Sequence, residues 1–240
     1  MSTTATVFHI RDKRPEEVAD ALGAIFASEE RDRVLRVQGT YSAILRRVAD
    51  EELVATYRYV VGSPHFPSPW TPVFEIGTRT AGLDVELSRA LGGSPVVTIF
   101  VYGDVVSGYT VVRDGVVADR YVSDPDALAE DTEDRPEPDD LRGHPERVRD
   151  LLPEGTDPGD FWRIVLQPGW WEAHAAHPKT EAVGNLDSAE NEEDVVDEVD
   201  RMRCIGLAFE LWAPDDYPFA AEPEEIPNVA AGPAIGLAFA

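Results

Sequence analysis

Cysteine is almost missing from this chain: 240 residues contain one, Cys204. A lone cysteine cannot pair within the chain, which excludes a disulfide scaffold and fits a reducing compartment. Long apolar runs are missing too, the longest being a handful of residues against the roughly 20 needed to span a bilayer. The opening MSTTATVFHIRDKRPEE has no basic start followed by an apolar stretch, so no signal peptide is expected. The expected location is the cytoplasm, with no membrane partner. Lysine is nearly absent as well, with only Lys13 and Lys179 against 19 arginines.

Recognisable chemistry is equally sparse. Ser88 and Ser107 are nucleophile types, but neither sits in G-x-S-x-G at a strand-to-helix elbow. Gly92-Gly93-Ser94 follows a helix pattern rather than opening one, so it reads as a helix stop, not a phosphate cradle. Glu172-Ala-His174-Ala-Ala-His177 has metal-ligand types, but prolines bracket it and HExxH spacing is absent. Cys204 lies beside Arg203, yet buried inert cysteines are the commoner kind. No metal and no cofactor are expected.

What the chain has in excess is acid. Its net charge is −25, and most of that is in the second half. Residues 1–120 hold 16 acids against 13 Lys and Arg, and residues 121–240 hold 30 against 8. An acidic, lysine-poor surface stays dispersed when salt screens repulsion down to a few ångströms, the pattern of a salt-adapted, halophilic cytoplasm. Coding bias toward arginine combined with acidic linkers is the competing origin. Either way, such a chain does not bind nucleic acid nonspecifically, which takes clustered Lys and Arg on phosphates.

The central stretch is Pro95–Val122, three apolar runs separated by GDVVSG and DG. Asp114-Gly115 between β-branched runs predicts a two-residue hairpin turn, since a type I′ turn needs positive φ at both positions. Before it, Val7–Ile10 reads as a strand, and Arg14-Pro15-Glu16-Glu17 opens a helix whose Val18, Leu22, Ile25 and Phe26 share one face. Residues 33–37 read as a strand, Tyr41–Ala49 as a helix, and Leu53–Val61 as a strand. Gly62–Pro72 carries four prolines and reads as a loop or extended edge. Val73–Ile76 reads as a strand, and Leu83, Leu87 and Leu91 mark a helix ending at glycine.

This order predicts an α+β fold: a mainly antiparallel sheet with helices packed on one face, plus an acidic, mixed C-terminal region. Pro95–Val122 is expected in the middle of the sheet. Asp124–Asp140 holds nine acids and one arginine without periodicity. It marks a linker or long loop at 124–142, between an α+β domain at 1–123 and a smaller acidic region at 143–240. In that region His144-Pro145-Glu146 starts a helix with Val148, Leu151 and Leu152 inward. Ile205–Phe209 recurs as Ile235–Phe239, two core segments, the second tying down the C-terminal stretch.

The segment from LSRALG through VYGDVVSGYTVVRDGVVADRY resembles an uncharacterised group of bacterial proteins. Their pattern is a helix ending L-S-x-x-L-G, a strand with V-Y-x-x-D, a following Tyr, a glycine turn and D-x-Y. The positions here are Leu87, Ser88, Leu91, Gly92, Val101, Tyr102, Tyr109, Gly115, Asp119 and Tyr121. The acidic pair after the first Tyr is replaced by Gly103-Asp104. The resemblance covers about residues 83–153 and implies a shared fold, with no activity attached.

Tyr102, Asp104 and Tyr109 flank the first turn of the central strands, where loops on a rigid sheet often bind ligands. The alternative is that the tyrosines anchor the sheet. Trp170-Trp171 cannot both point into one core, so one is expected to line a groove or interface. Arg31, Arg33, Arg36, Arg46 and Arg47 form a basic run that either meets an anionic partner or faces the acidic half. The leading expectation is a non-catalytic binding or interaction protein whose partner is an unknown protein or small ligand. The first alternative is a hydrolase-like enzyme with a carboxylate, Tyr109 and a histidine such as His174 in an interdomain cleft. The second is an acidic nucleic-acid mimic.

Overall fold

The computed structural model describes residues 4–50, 52–63, 68–76, 81–102, 106–123, 141–152, 154–155, 157–159, 205–206, 209, 211 and 233–240. Eight described strands make one sheet: β1 (Thr4–Arg11), β2 (Arg33–Thr40), β3 (Tyr57–Gly62), β4 (Trp70–Glu75), β5 (Val96–Tyr102), β6 (Val106–Arg113), β7 (Val116–Val122) and β8 (Pro233–Phe239). They run in the order β2-β8-β3-β4-β1-β5-β6-β7, and every neighbouring pair is antiparallel. With helices α1 (Pro15–Ser28), α2 (Tyr41–Val48) and α3 (Leu83–Ala90), the fold is α+β, as expected. No helix among the described residues is long and apolar enough to cross a membrane.

Successive strand residues point to opposite faces, and here both faces are buried. On one, α1 and α3 cover Phe8, Ile10, Tyr59, Val61, Val73, Val96, Val112 and Leu237. Phe26 of α1 stacks on Phe239 at 4.3 Å between ring centroids, with Tyr59 at 5.5 Å. Burying such a side chain stabilises by about 1.5–3 kcal/mol. The start of α1 forms as its sequence predicts. Pro15 occupies the first turn, and the Glu17 carboxylate accepts the Arg14 backbone N–H at 3.0 Å.

On the other face lie Val7, Val60, Trp70, Phe74, Val97, Ile99, Tyr109 and Val111, under α2, the 3-10 helix Pro145–Leu151, Ile205 and Phe209. Helices on a single face is therefore corrected: α2 packs opposite α1 and α3. Its seat is Gly236 of β8, where a Cβ would lie 2.7 Å from both Ile44 and Val48. The absence of a side chain there lets α2 come down on the sheet.

The placement of Pro95–Val122 is corrected as well. β5, β6 and β7 form the expected antiparallel ribbon, but at one end of the sheet. The central pair is β4 and β1, flanked by β3 and β5. β8 comes from the far end of the chain yet lies between β2 and β3, inside the sheet of the first 123 residues.

Two local readings also change. The strand expected at Leu53–Val61 begins at Tyr57, because Arg58 folds back on the carbonyls of Leu53 (2.7 Å), Val48 and Ala55 (3.3 Å each). That guanidinium ties Leu53 and Ala55 back to the end of α2. Gly62 and Trp70–Pro72, expected in a loop or extended edge, are strand residues of β3 and β4, inside the sheet. Asp124–Asp140, expected in a linker or long loop, lies outside the described residues.

Candidate functional site

The hairpin turn forms as predicted, with Asp114 at φ 51° and Gly115 at φ 69°. It is clamped from above by the end of α3. The Gly115 N–H donates to Ser88 Oγ at 3.1 Å, and that hydroxyl donates to the Ser94 carbonyl at 2.9 Å. Arg89 Nη2 donates to the Gly115 carbonyl at 3.1 Å. Ser88 is fully buried and committed to a turn, so it is no nucleophile. Gly92 and Gly93 have φ 73° and 85°, and the Gly93 N–H closes on the Ser88 carbonyl at 2.8 Å, the expected helix stop.

Below the turn the pairing slips by one residue. Val112 faces Val117, but Val111 faces Asp119, leaving Ala118 as an extra residue in β7. A slip of one residue turns every following side chain to the other face. It is this bulge that places Asp119 and Tyr121 on the face of Tyr109. The Tyr109 hydroxyl donates to Asp119 Oδ2 at 2.8 Å, and the His144 backbone N–H donates to Oδ1 at 2.7 Å. Tyr109 stacks on Tyr121 at 5.8 Å and meets Phe209 edge-on at 5.4 Å. His144 Nδ1 lies 3.3 Å from Glu146 Oε1.

Asp119 is 2% exposed and Tyr109 fully buried. Burial pushes the Asp119 pKa up, against the bonds from Tyr109, His144 and Arg120 that pull it down. Burial, then the neighbouring carboxylate, pushes the Tyr109 hydroxyl up. The pair ties β6, β7 and the 3-10 helix together where no substrate atom reaches.

The expected site residues do not converge. Tyr102 ends β5, 43% exposed, on the same face as Phe100; Tyr109 lies on the opposite face with Ile99. Asp104, Trp170, Trp171, Glu172, His174, His177 and Cys204 lie outside the described residues. Ser107 is fully buried in β6. Sequence reading missed the Asp119–His144 link. Its only trace was the D-x-Y spacing after the glycine turn, and without the bulge that spacing puts Asp119 opposite Thr110.

His9 is also fully buried, opposite Val97 and Pro72. Burial drives its pKa down to about 3, against a hydrogen bond with the Val97 backbone, so the ring is neutral. One open cleft of about 580 Å³ lies between the end of β1 and the segment after the 3-10 helix. Arg11, Arg149, Asp150, Glu154 and Asp157 line it. Asp150 is taken: Arg113 Nη2 donates to it at 2.6 Å and holds its carboxyl below the usual range. That makes it a poor proton donor. Among the described residues no group of three His, Cys, Asp or Glu side chains is placed to hold a metal.

The chain matches no protein-family model, no curated protein and no solved structure, so its chemistry rests on these residues alone.

Proposed function

We propose that this is a non-catalytic binding or interaction protein whose partner is another protein or a small ligand, with neither nucleic acid nor membrane as partner. One observation supports the reading. Four side chains of catalytic type, Ser88 of α3 and Ser107, Tyr109 and Asp119 of the sheet, are each 0–2% exposed. Ser88, Tyr109 and Asp119 are engaged in bonds that hold structural elements together. Catalytic pairs need a reacting atom within reach, and none fits here. We read the acidity as adaptation to a salt-rich cytoplasm, and the bacterial resemblance as a shared hairpin. In that hairpin Ser88 holds the turn at Gly115, and Tyr109 holds Asp119.

A panel of ester, amide and phosphate substrates tests the reading, run beside a thermal-shift screen of small ligands. No turnover and at least one melting shift are expected. Turnover lost in Tyr109→Phe, with folding intact, would favour the hydrolase-like alternative and overturn ours.

A further inference from the structure

The two edges of the sheet are treated differently. β7 is partly covered and irregular: Arg142 bridges to Tyr121 on its outer side, and the strand carries the Ala118 bulge. Among the described residues β2 pairs only with β8, and six of its eight residues are exposed. Its own bulge lies between Arg33 and Leu35, leaving Leu35–Thr40 regular. A regular edge strand presents alternate N–H and C=O groups outward, ready to pair with another extended chain. We propose that β2 is a docking edge that takes an acidic, extended peptide segment as an added strand, a partner class that deepens the binding reading above and rests on it.

Charge selects this occupant. In a chain of net charge −25, residues 31–47 hold five arginines and one acid, Asp32. Among the described residues Arg33, Arg46 and Arg47 make no ion pair. A second copy docking edge to edge brings like-charged arginines together and sets two −25 chains against each other. A nucleic acid uses the charge but not the free ladder.

The two sides of the edge specify the order of the partner's residues. Arg36 points toward α1, where its Nη1 lies 2.6 Å from Asp20 Oδ1. Arg33 points the same way, its Nη1 beside Gly23. Leu35 and Val37 pack on the α2 side. Side chains of an added strand alternate between these flanks. Acids at every second position meet Arg33 and Arg36, and apolar residues between them extend Leu35 and Val37.

The probe is a labelled ten-residue peptide alternating glutamate and valine, titrated into the intact protein by anisotropy. Binding is expected to weaken with added salt and to protect amides within residues 33–40 from hydrogen exchange. Arg33→Glu with Arg36→Glu should weaken it about tenfold or more, and Arg46→Glu with Arg47→Glu, on the α2 side, distinctly less. Melting curves confirm that both variants fold. Several results overturn the proposal: no binding, protection elsewhere, or equal losses in the two variants. So do equal binding of a glutamate-proline peptide, which has no ladder donors at its prolines, or tighter binding of a single-stranded oligonucleotide of equal charge. If a ligand from the thermal-shift screen still binds while the peptide does not, the docking edge fails and the binding reading stands.

Discussion

Replacing Tyr109 by phenylalanine removes one oxygen from a fully buried ring and leaves its stacking on Tyr121 and Phe209 in place. The change removes the hydroxyl's bond to Asp119 Oδ2 at 2.8 Å. A hydrogen bond to a buried charged group is worth about 1.5–3 kcal/mol. At neutral pH the variant should be less stable by about 2 kcal/mol, which in a chain of this size lowers the melting point by roughly 4–8 °C. The dependence on pH is the sharper test. Burial already raises the Asp119 pKa in the folded state, so its contribution to stability is full below the ordinary carboxyl range. That contribution is lost as pH rises through the folded value. Removing a bond that pulls the pKa down raises the folded value further. The gap between parent and variant should grow from acid to neutral pH, then level off. Urea unfolding of both proteins at a series of pH values measures this gap, and other titrating groups cancel in the difference. A gap below about 0.5 kcal/mol at neutral pH, or one independent of pH, refutes the carboxylate's role as a charged tether.

His9 contributes with the opposite sign. Its pKa is lowered to about 3, so stability is lost as pH falls below the ordinary histidine value of 6.5. His9→Leu should flatten the acid side of the stability profile measured by thermal melts. Ser88→Ala leaves the Gly115 N–H without its partner and should cost about 1–3 kcal/mol, with faster hydrogen exchange at that amide. Gly236→Val forces α2 off its seat and should cost about 1–3 kcal/mol or more by urea titration. Deleting Ala118 makes the ladder regular and keeps Val111 opposite Asp119 and Tyr109 opposite Tyr121, so the near-ultraviolet tyrosine dichroism should survive. A lost tyrosine signal would refute the register argument.

Local physics made much of the fold legible. The Pro15 start of α1, the Asp114-Gly115 turn and the glycine stop after α3 are each set by residues within a few positions. They formed as read. Non-local pairing was not legible. Nothing within Ile235–Phe239 states that it will lie between β2 and β3, and nothing within β5–β7 states that they run out to one edge. The same limit hid the second covered face, because a helix such as α2 shows an apolar stripe without showing which side of a sheet receives it. Tyr109 was singled out, and it lies buried in the core. Its partner was not, since the facing of Asp119 depends on a bulge that leaves no signature in a run of valines and alanine.

The insertion of β8 has a consequence for synthesis. Its partner β3 ends at Gly62, so roughly 170 residues of chain emerge between that strand and Pro233. Until then, among the described strands, β2 lacks its partner and the edge of β3 away from β4 is unpaired. A stalled or clipped nascent chain thus displays two hungry strands, and chaperones have a long wait to guard.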